Sequence, residues 1–186
     1  MENEVLIHAC CGVCSGYSIE LLKAKGYTPV VYFCNPNIDT REEFEKRLAA
    51  QRTVCIYHWV ELIEERYDHG IFSDAVRGLE NEPERGKRCE ECIKLRLTLA
   101  AKKTQELGLN KFTTSLVISP HKDFKKISSI GTETADSSNV EYLPIDFKKQ
   151  DGFLKTNRLA KQLGIYRQNY CGCEFAKKHL SATEGK

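Results

Sequence analysis

Ile7-His8-Ala9-Cys10-Cys11-Gly12-Val13-Cys14-Ser15 crowds three thiols between an apolar run, Val5 to Ala9, and a helix-like segment, Gly16 to Lys25. Strand, tight turn and helix start, in that order, are where open α/β folds put their chemistry. Thiolates at such a turn sit at a helix N-terminus, whose dipole and free N–H groups favour negative charge and lower a cysteine pKa. No Gly-x-Gly-x-x-Gly or Walker pattern follows any apolar run, so a dinucleotide or ATP site lacks its phosphate cradle. Electron chemistry stands in its place.

Outward from this stretch, further strand-like runs alternate with amphipathic segments: Thr28–Cys34, a weak Thr53–His58, Lys111–Leu116 and Val140–Phe147. Such alternation predicts βαβ units and a parallel sheet flanked by helices. The helices carry their own signals. Thr40 and Glu43 form a capping box ahead of Phe44 and Leu48. Ile93, Leu97, Ala100 and Ala101 make an apolar stripe ended by Gly108, and Phe124, Ile127 and Ile130 make another after Pro120. A short helical fragment, Ser73 to Leu79, interrupts a charged stretch, and Phe153 to Leu163 reads as the last helix. With 186 residues, 41% hydrophobic and 29% charged, and no internal repeat or linker, residues 1–186 form one domain. No apolar run approaches the roughly 20 residues of a membrane span, and the short acidic start lacks signal-peptide character. The expectation is a cytoplasmic protein with no membrane association.

Nine cysteines are many for a reducing compartment unless they serve metal or redox chemistry. Seven fall in three groups: Cys10/Cys11/Cys14, Cys89/Cys92 and Cys171/Cys173. Cys89 and Cys92 lie three apart on a helix's first turn and so face one way. In Cys171-Gly172-Cys173 the glycine lets the backbone fold closely around a bound centre. The two pairs together supply four thiolates, for which zinc and an iron–sulfur cluster are both suitable. Seven clustered thiols exceed one closed four-ligand site, which leaves sulfur for a second metal or a redox pair. Cys34 and Cys55, each alone in a strand-like run, read as small core hydrophobes, and His8 as a satisfied core histidine.

His121, in Ser119-Pro120-His121-Lys122 beyond the fourth run, is a candidate proton donor or phosphate contact. Asp68, Asp146 and Asp151 are each a candidate acid or metal ligand, against the plainer roles of cap and surface charge. The formal charge of +2 hides an asymmetry, since residues 148–186 hold nine Lys/Arg against three Asp/Glu. A basic end of this kind suits a polyanionic partner, or is a solvated face.

With these groups in view, the chain resembles the QueH-type epoxyqueuosine reductases, the cobalamin-independent enzymes of queuosine biosynthesis in tRNA. The resemblance runs from about Val5 to Cys173. It rests on His8-Ala9-Cys10-Cys11 with Cys14-Ser15, Phe33-Cys34-Asn35-Pro36-Asn37-Ile38, and Gly78-Leu79-Glu80-Asn81-Glu82-Pro83-Glu84. Arg88-Cys89 with Cys92, Thr113-Thr114-Ser115-Leu116, Ile118-Ser119-Pro120-His121-Lys122, Asp146-Phe147-Lys148-Lys149 and the segment Tyr166 to Cys173 complete it. It departs at Val13, where the family usually has proline, and between Cys55 and Glu65. The resemblance implies a HUP-related, Rossmann-like fold with the cysteine-rich site at the carboxyl edge of its sheet. It also implies reduction of the epoxide of epoxyqueuosine at the tRNA wobble position to queuosine. A 4Fe-4S cluster would do this beside a second metal ion, iron or zinc, with electrons from an unidentified donor. Cys10, Cys11, Cys89, Cys92, Cys171 and Cys173 are then cofactor ligands, Cys14 joins them in binding metal, and Asp68, His121 and Asp146 are catalytic candidates. Lys148, Lys149, Lys155, Arg158 and Arg167 would meet tRNA phosphates, with Tyr166 and Tyr170 either stacking on bases or packing the last loop. The rival is a non-enzymatic RNA-binding domain stabilised by zinc at Cys89, Cys92, Cys171 and Cys173.

Overall fold

The computed structural model describes residues 3–177. Val5, Leu6 and Ile7 are wholly buried, so the first strand, β1 (Glu4–His8), is covered on both faces and lies at the sheet's centre. It pairs in parallel with β2 (Thr28–Phe33) on one side and β4 (Lys111–Thr114) on the other. The edges are β3 (Leu62–Glu64) beside β2 and β5 (Glu141–Tyr142) beside β4. The order β3-β2-β1-β4-β5 reverses direction between β1 and β4. Open α/β sheets bind their ligands at that switch point, outside the strands' carboxyl ends.

The helices fall into two groups. α1 (Gly12–Ala24) packs on α2 (Arg41–His58) and on α6 (Gly152–Gln162). α4 (Lys87–Glu106) packs on β1, on α5 (Phe124–Asp136) and on the short α3 (His69–Ala75). Right-handed crossovers running outward from β1 to β3, and then back across to β4 and β5, place the two groups on opposite faces. A 3-10 turn, Ser115–Ile118, follows β4.

Several boundaries differ from the sequence expectations for local physical reasons. Thr53–His58 is the last third of α2: Gln51, Val54 and Cys55 continue the helix's buried stripe, and Thr53 turns its hydroxyl back to the Ala49 carbonyl. Trp59, left-handed at φ 52°, ends that helix, and the strand comes afterwards at Leu62. The fifth strand has only two residues because the chain turns after Leu143: the Ile145 N–H folds back to the Leu143 carbonyl at 2.9 Å, and the Thr113 hydroxyl donates to that same carbonyl at 2.8 Å. The helix expected from Gly16 begins at Gly12, capped by the Cys11 sulfur, which accepts from the Cys14 N–H at 3.4 Å. Thr40 caps α2 through the Glu43 N–H, but Glu43 turns its carboxylate to Arg47 instead of closing the box.

Gly12 passes so close to α2 that a Cβ there would lie 2.6 Å from the Ala50 carbonyl carbon. Both partners are backbone, so neither can yield cheaply. Gly12→Ala is expected to destabilise the fold by about 1–3 kcal/mol, as overpacked sites do, which urea unfolding of the metal-free protein checks.

Candidate metal centre

Backbone geometry at the switch point brings sulfur together from both ends of the chain. Cys10 and Cys11 leave β1 and Cys14 lies in the first turn of α1, so their three sulfurs come within 4.8 Å of one another. Cys10 and Cys11 sulfurs are 3.9 Å apart, and the Ser115 hydroxyl, leaving β4, approaches Cys10 at 3.7 Å. The Gln168 amide reaches over from the last loop to donate to the Cys11 sulfur at 2.8 Å. Hydrogen bonds from Cys11 and Cys14 hold the Cys10 thiol well below its usual range, helped by the charge of Arg96, and as donors the other two are pushed up. A metal ion that binds these sulfurs would displace the protons of the thiols it ligates.

Four more cysteines, Cys89, Cys92, Cys171 and Cys173, line one small cavity of about 20 Å³, with Asn37, Phe72, Arg88, Arg96 and Lys122. Cys89 and Cys92 come from the first turns of α4; Cys171 and Cys173 come from the loop beyond α6. That loop is held by Arg47 of α2, whose Nη1 and Nη2 donate to the carbonyls of Cys171 and Tyr170 at 3.1 and 3.2 Å. Gly172 permits the close passage: its φ is +123°, and a Cβ would meet Arg47 Nη1 at 3.0 Å. Burial pushes Cys92 up to about 12 and raises Cys173, while the Lys122 amine donates to the Cys171 sulfur at 3.4 Å. Among the described residues only the Cys10/Cys11/Cys14 set draws three ligand atoms within 4.8 Å, so these four sulfurs are set wider.

An open groove of about 500 Å³ adjoins the cavity and shares Cys89, Ile93 and Lys122 with it. Arg85, His121, Lys126 and Lys148 line the groove against Glu90 and Asp123. His121 is thus at the rim, 3.4 Å from the Arg85 guanidinium. Asp68 and Asp146 line neither space. Asp68 is exposed and caps α3 through the Gly70 N–H at 3.0 Å, and Asp146 accepts from the Lys148 N–H at 3.1 Å. Asp151 is a left-handed residue ahead of α6.

Of the basic residues, Lys148 enters the groove, donating to the Lys122 carbonyl at 2.9 Å. Lys149, Lys155, Arg158 and Arg167 are exposed and line neither space. Lys155 lies 4.9 Å over the Tyr17 ring, and Arg167 donates to Asn157. Tyr170 is packed between Arg47 and Lys177 and donates to Asp39 at 2.9 Å, so its ring is a strut of the last loop. Tyr166 is 38% exposed, its hydroxyl tied to Glu43. The basic end in part lies outside the described residues, at 178–186. Cys34 and Cys55 are buried, and burial raises both thiols to about 11. His8 is satisfied twice. Burial, then the charge of Arg96, lowers it to about 3, so as a neutral ring it donates from Nε2 to the Cys34 carbonyl and accepts at Nδ1 from Thr114.

Sequence reasoning missed Arg47, Arg96, Lys122 and Gln168. The first two carried a visible signal, a charge on an apolar stripe: Arg47 between Phe44 and Leu48, Arg96 between Ile93 and Leu97. Lys122 and Gln168 carried none, since loop geometry alone aims them.

Fold and site together define a parallel α/β protein whose clustered thiols can hold metal at the carboxyl edge of the sheet. The family described as "Epoxyqueuosine reductase QueH" matches residues 5–179. Proteins of that description are similar to this chain in Streptococcus pyogenes, 38% identical over 184 residues (96% of this chain, 72% of the relative), and in Thermotoga maritima, 33% identical over 175 residues (92% and 89%). The chain belongs to the QueH family. Two solved structures share the fold at low identity. One is a predicted subunit of a tRNA methyltransferase from Methanocaldococcus jannaschii, with TM-score 0.56, 16% identity, and 85% of this chain and 74% of that one covered. The other is the U34-tRNA thiolase NcsA from Methanococcus maripaludis with its [4Fe-4S] cluster, with TM-score 0.58, 15% identity, and 99% and 66% covered. Among the described residues no helix is long and apolar enough to cross a membrane.

His8 makes folding sensitive to acid. Its folded pKa lies below its ordinary 6.5, so between about pH 6.5 and 3 the unfolded chain binds a proton that the folded protein does not, and stability falls as pH drops through that window. His8→Gln is expected to reduce the stability loss between pH 6.5 and 4.5 by about 2 kcal/mol, measured by urea unfolding of the metal-free protein.

Proposed function

We propose that this protein reduces the epoxide of epoxyqueuosine in tRNA to the alkene of queuosine, an overall change that consumes two electrons and two protons and releases water. The observation that carries this reading is the division of seven thiols into a tight set of three and a wider set of four at one sheet edge, in a chain of the QueH family. A single tetrahedral ion holds its sulfurs about 3.8 Å apart, given zinc–sulfur bonds of about 2.3 Å. Cys10, Cys11 and Cys14 suit one such ion. Cys89, Cys92, Cys171 and Cys173 supply the four thiolates of a cluster, and the seven thiols together exceed what the rival's one closed zinc site would use.

The donor set fits an iron–sulfur centre, because a buried guanidinium and an ammonium face the sulfurs and offset their negative charge as thiolates. The cavity's about 20 Å³ is room for one ion or water, so seating a larger group would require the thiol side chains to turn outward. When bound, such a centre supplies electrons one at a time, and an adjacent metal ion supplies a Lewis acid for the epoxide oxygen. The chain's own residues do the rest. Arg85, Lys126 and Lys148 attract phosphates along the groove, and Cys89 and Lys122 form the wall where a splayed base would meet the centre. His121 at the rim is placed to hold a proton or a phosphate. Asp68 caps α3 and Asp146 caps the loop before α6, so a catalytic role for either would require it to leave that bond.

Anaerobic purification is expected to yield a brown protein containing iron and sulfide. Paired alanine substitution of Cys89/Cys92 or of Cys171/Cys173 should abolish the chromophore, whereas a Cys10/Cys14 pair should retain it and lose a separate metal equivalent. A colourless zinc protein, or full iron in both of the first two variants, would sink the assignment.

RNA binding gives a second check. Lys126→Gln with Lys148→Gln should weaken binding of unmodified tRNA and flatten its log–log salt dependence by up to about one unit per lost phosphate contact. The Lys155→Gln/Arg158→Gln pair, outside the groove, should change it less; unchanged slopes in both would place RNA on another face.

A further inference from the structure

Arg96 buries a positive charge with no carboxylate partner among the described residues. It stands one turn beyond Cys92 on α4, 2% exposed, and lines the four-thiol cavity. Its Nη2 donates to Asn35 Oδ1 at 2.7 Å, and Asn35 in turn donates to the Ala9 carbonyl at 2.9 Å, so the neutral amide fixes the guanidinium without neutralising it. Its Nε is buried with no acceptor. Of the neighbouring buried arginines, Arg47 is paired with Glu43 at 2.7 Å, whereas Arg88 lines the same cavity, likewise has a buried Nε without an acceptor, and spends its Nη1 on the carbonyls of Leu79, Glu80 and Glu82. A guanidinium cannot shed its proton to escape burial, so one that lines a cavity of four thiols with no carboxylate beside it among the described residues suits a cavity that receives an anion.

We propose that Arg96 is the fixed counter-charge of the iron–sulfur centre in this cavity and eases its one-electron reduction. The inference rests on the cluster reading given above. Taking up one electron from an external donor makes and breaks no bond and adds one negative charge to a thiolate-ligated centre that is already anionic. A permanent cation lining the same low-dielectric cavity favours that more negative state.

The test is an anaerobic dithionite titration of the iron-loaded protein, followed by its visible and EPR spectra. Arg96→Gln should lower the reduction equilibrium constant at least tenfold, a shift of about 59 mV to more negative potential for a one-electron couple. Arg96→Lys, which keeps the charge, should stay nearer the wild type. Asn35→Asp sets a carboxylate against the guanidinium without removing it and should shift the potential in the same direction as Arg96→Gln. If Arg96→Gln fails to assemble the centre, restored assembly in Arg96→Lys supports the counter-charge, and Asn35→Asp supplies the potential. Wild-type potentials in Arg96→Gln and Asn35→Asp, at wild-type iron and sulfide content, would overturn the role of Arg96 while leaving the cluster reading intact. A wild-type protein that binds no iron–sulfur centre would overturn the cluster reading, and this inference with it.

Discussion

The fork of Arg47 onto the carbonyls of Tyr170 and Cys171 is the interaction on which the site depends. It ties the loop that carries the last two thiols to α2, while Cys173 packs on Phe72 and Val76. Arg47 is itself held by Glu43 and faces the Tyr170 ring, and the Asp39 N–H donates to the Gly172 carbonyl at 2.9 Å beside it. Side-chain and backbone bonds therefore fix one short loop against the start of α2. The cost is a glycine with φ +123°, because any larger residue would press on the same guanidinium.

Burial and charge pull the thiols in opposite directions, and the balance differs between the two groups. In the tight set the Cys11 and Cys14 hydrogen bonds outweigh burial at Cys10 and leave one sulfur ready as an anion. In the wider set burial prevails at Cys92 and Cys173, which stay protonated until a cation arrives. Metal uptake there must release protons, and Lys122 and Arg96 are the fixed charges that lessen the cost of the thiolates left behind.

How much of this was legible in the sequence follows from what each feature depends on. The central strands, the helices with clear apolar stripes and the grouping of seven cysteines are local patterns, and the structure places them close to where those patterns stand. Thr53–His58 misled because β-branched and aromatic residues resemble a strand; only the register of Gln51, Val54 and Cys55 with the preceding turns reveals the helix. The partition of the thiols was not legible, because it depends on which loop crosses which strand end. The tyrosines of the last loop divided for the same reason: a hydroxyl partner on α2 or its approach decides whether a ring is a strut or a surface.

The relation between cavity and groove limits where chemistry can occur. A cavity of about 20 Å³ excludes a nucleobase, whereas the adjoining groove of about 500 Å³ admits one together with part of its backbone. The two spaces share Cys89, Ile93 and Lys122 as a common wall. A substrate in the groove therefore meets the thiol centre only at that wall, where Cys89 is exposed to the groove while Cys92 stays behind it in the cavity. Lys122 stands at the same wall with its amine on Cys171 and its carbonyl receiving Lys148, so the residue beside the centre is coupled to the residue that lines the route in. An RNA phosphate that drew Lys148 away would release the Lys122 carbonyl, and the first change would be felt at the thiol wall.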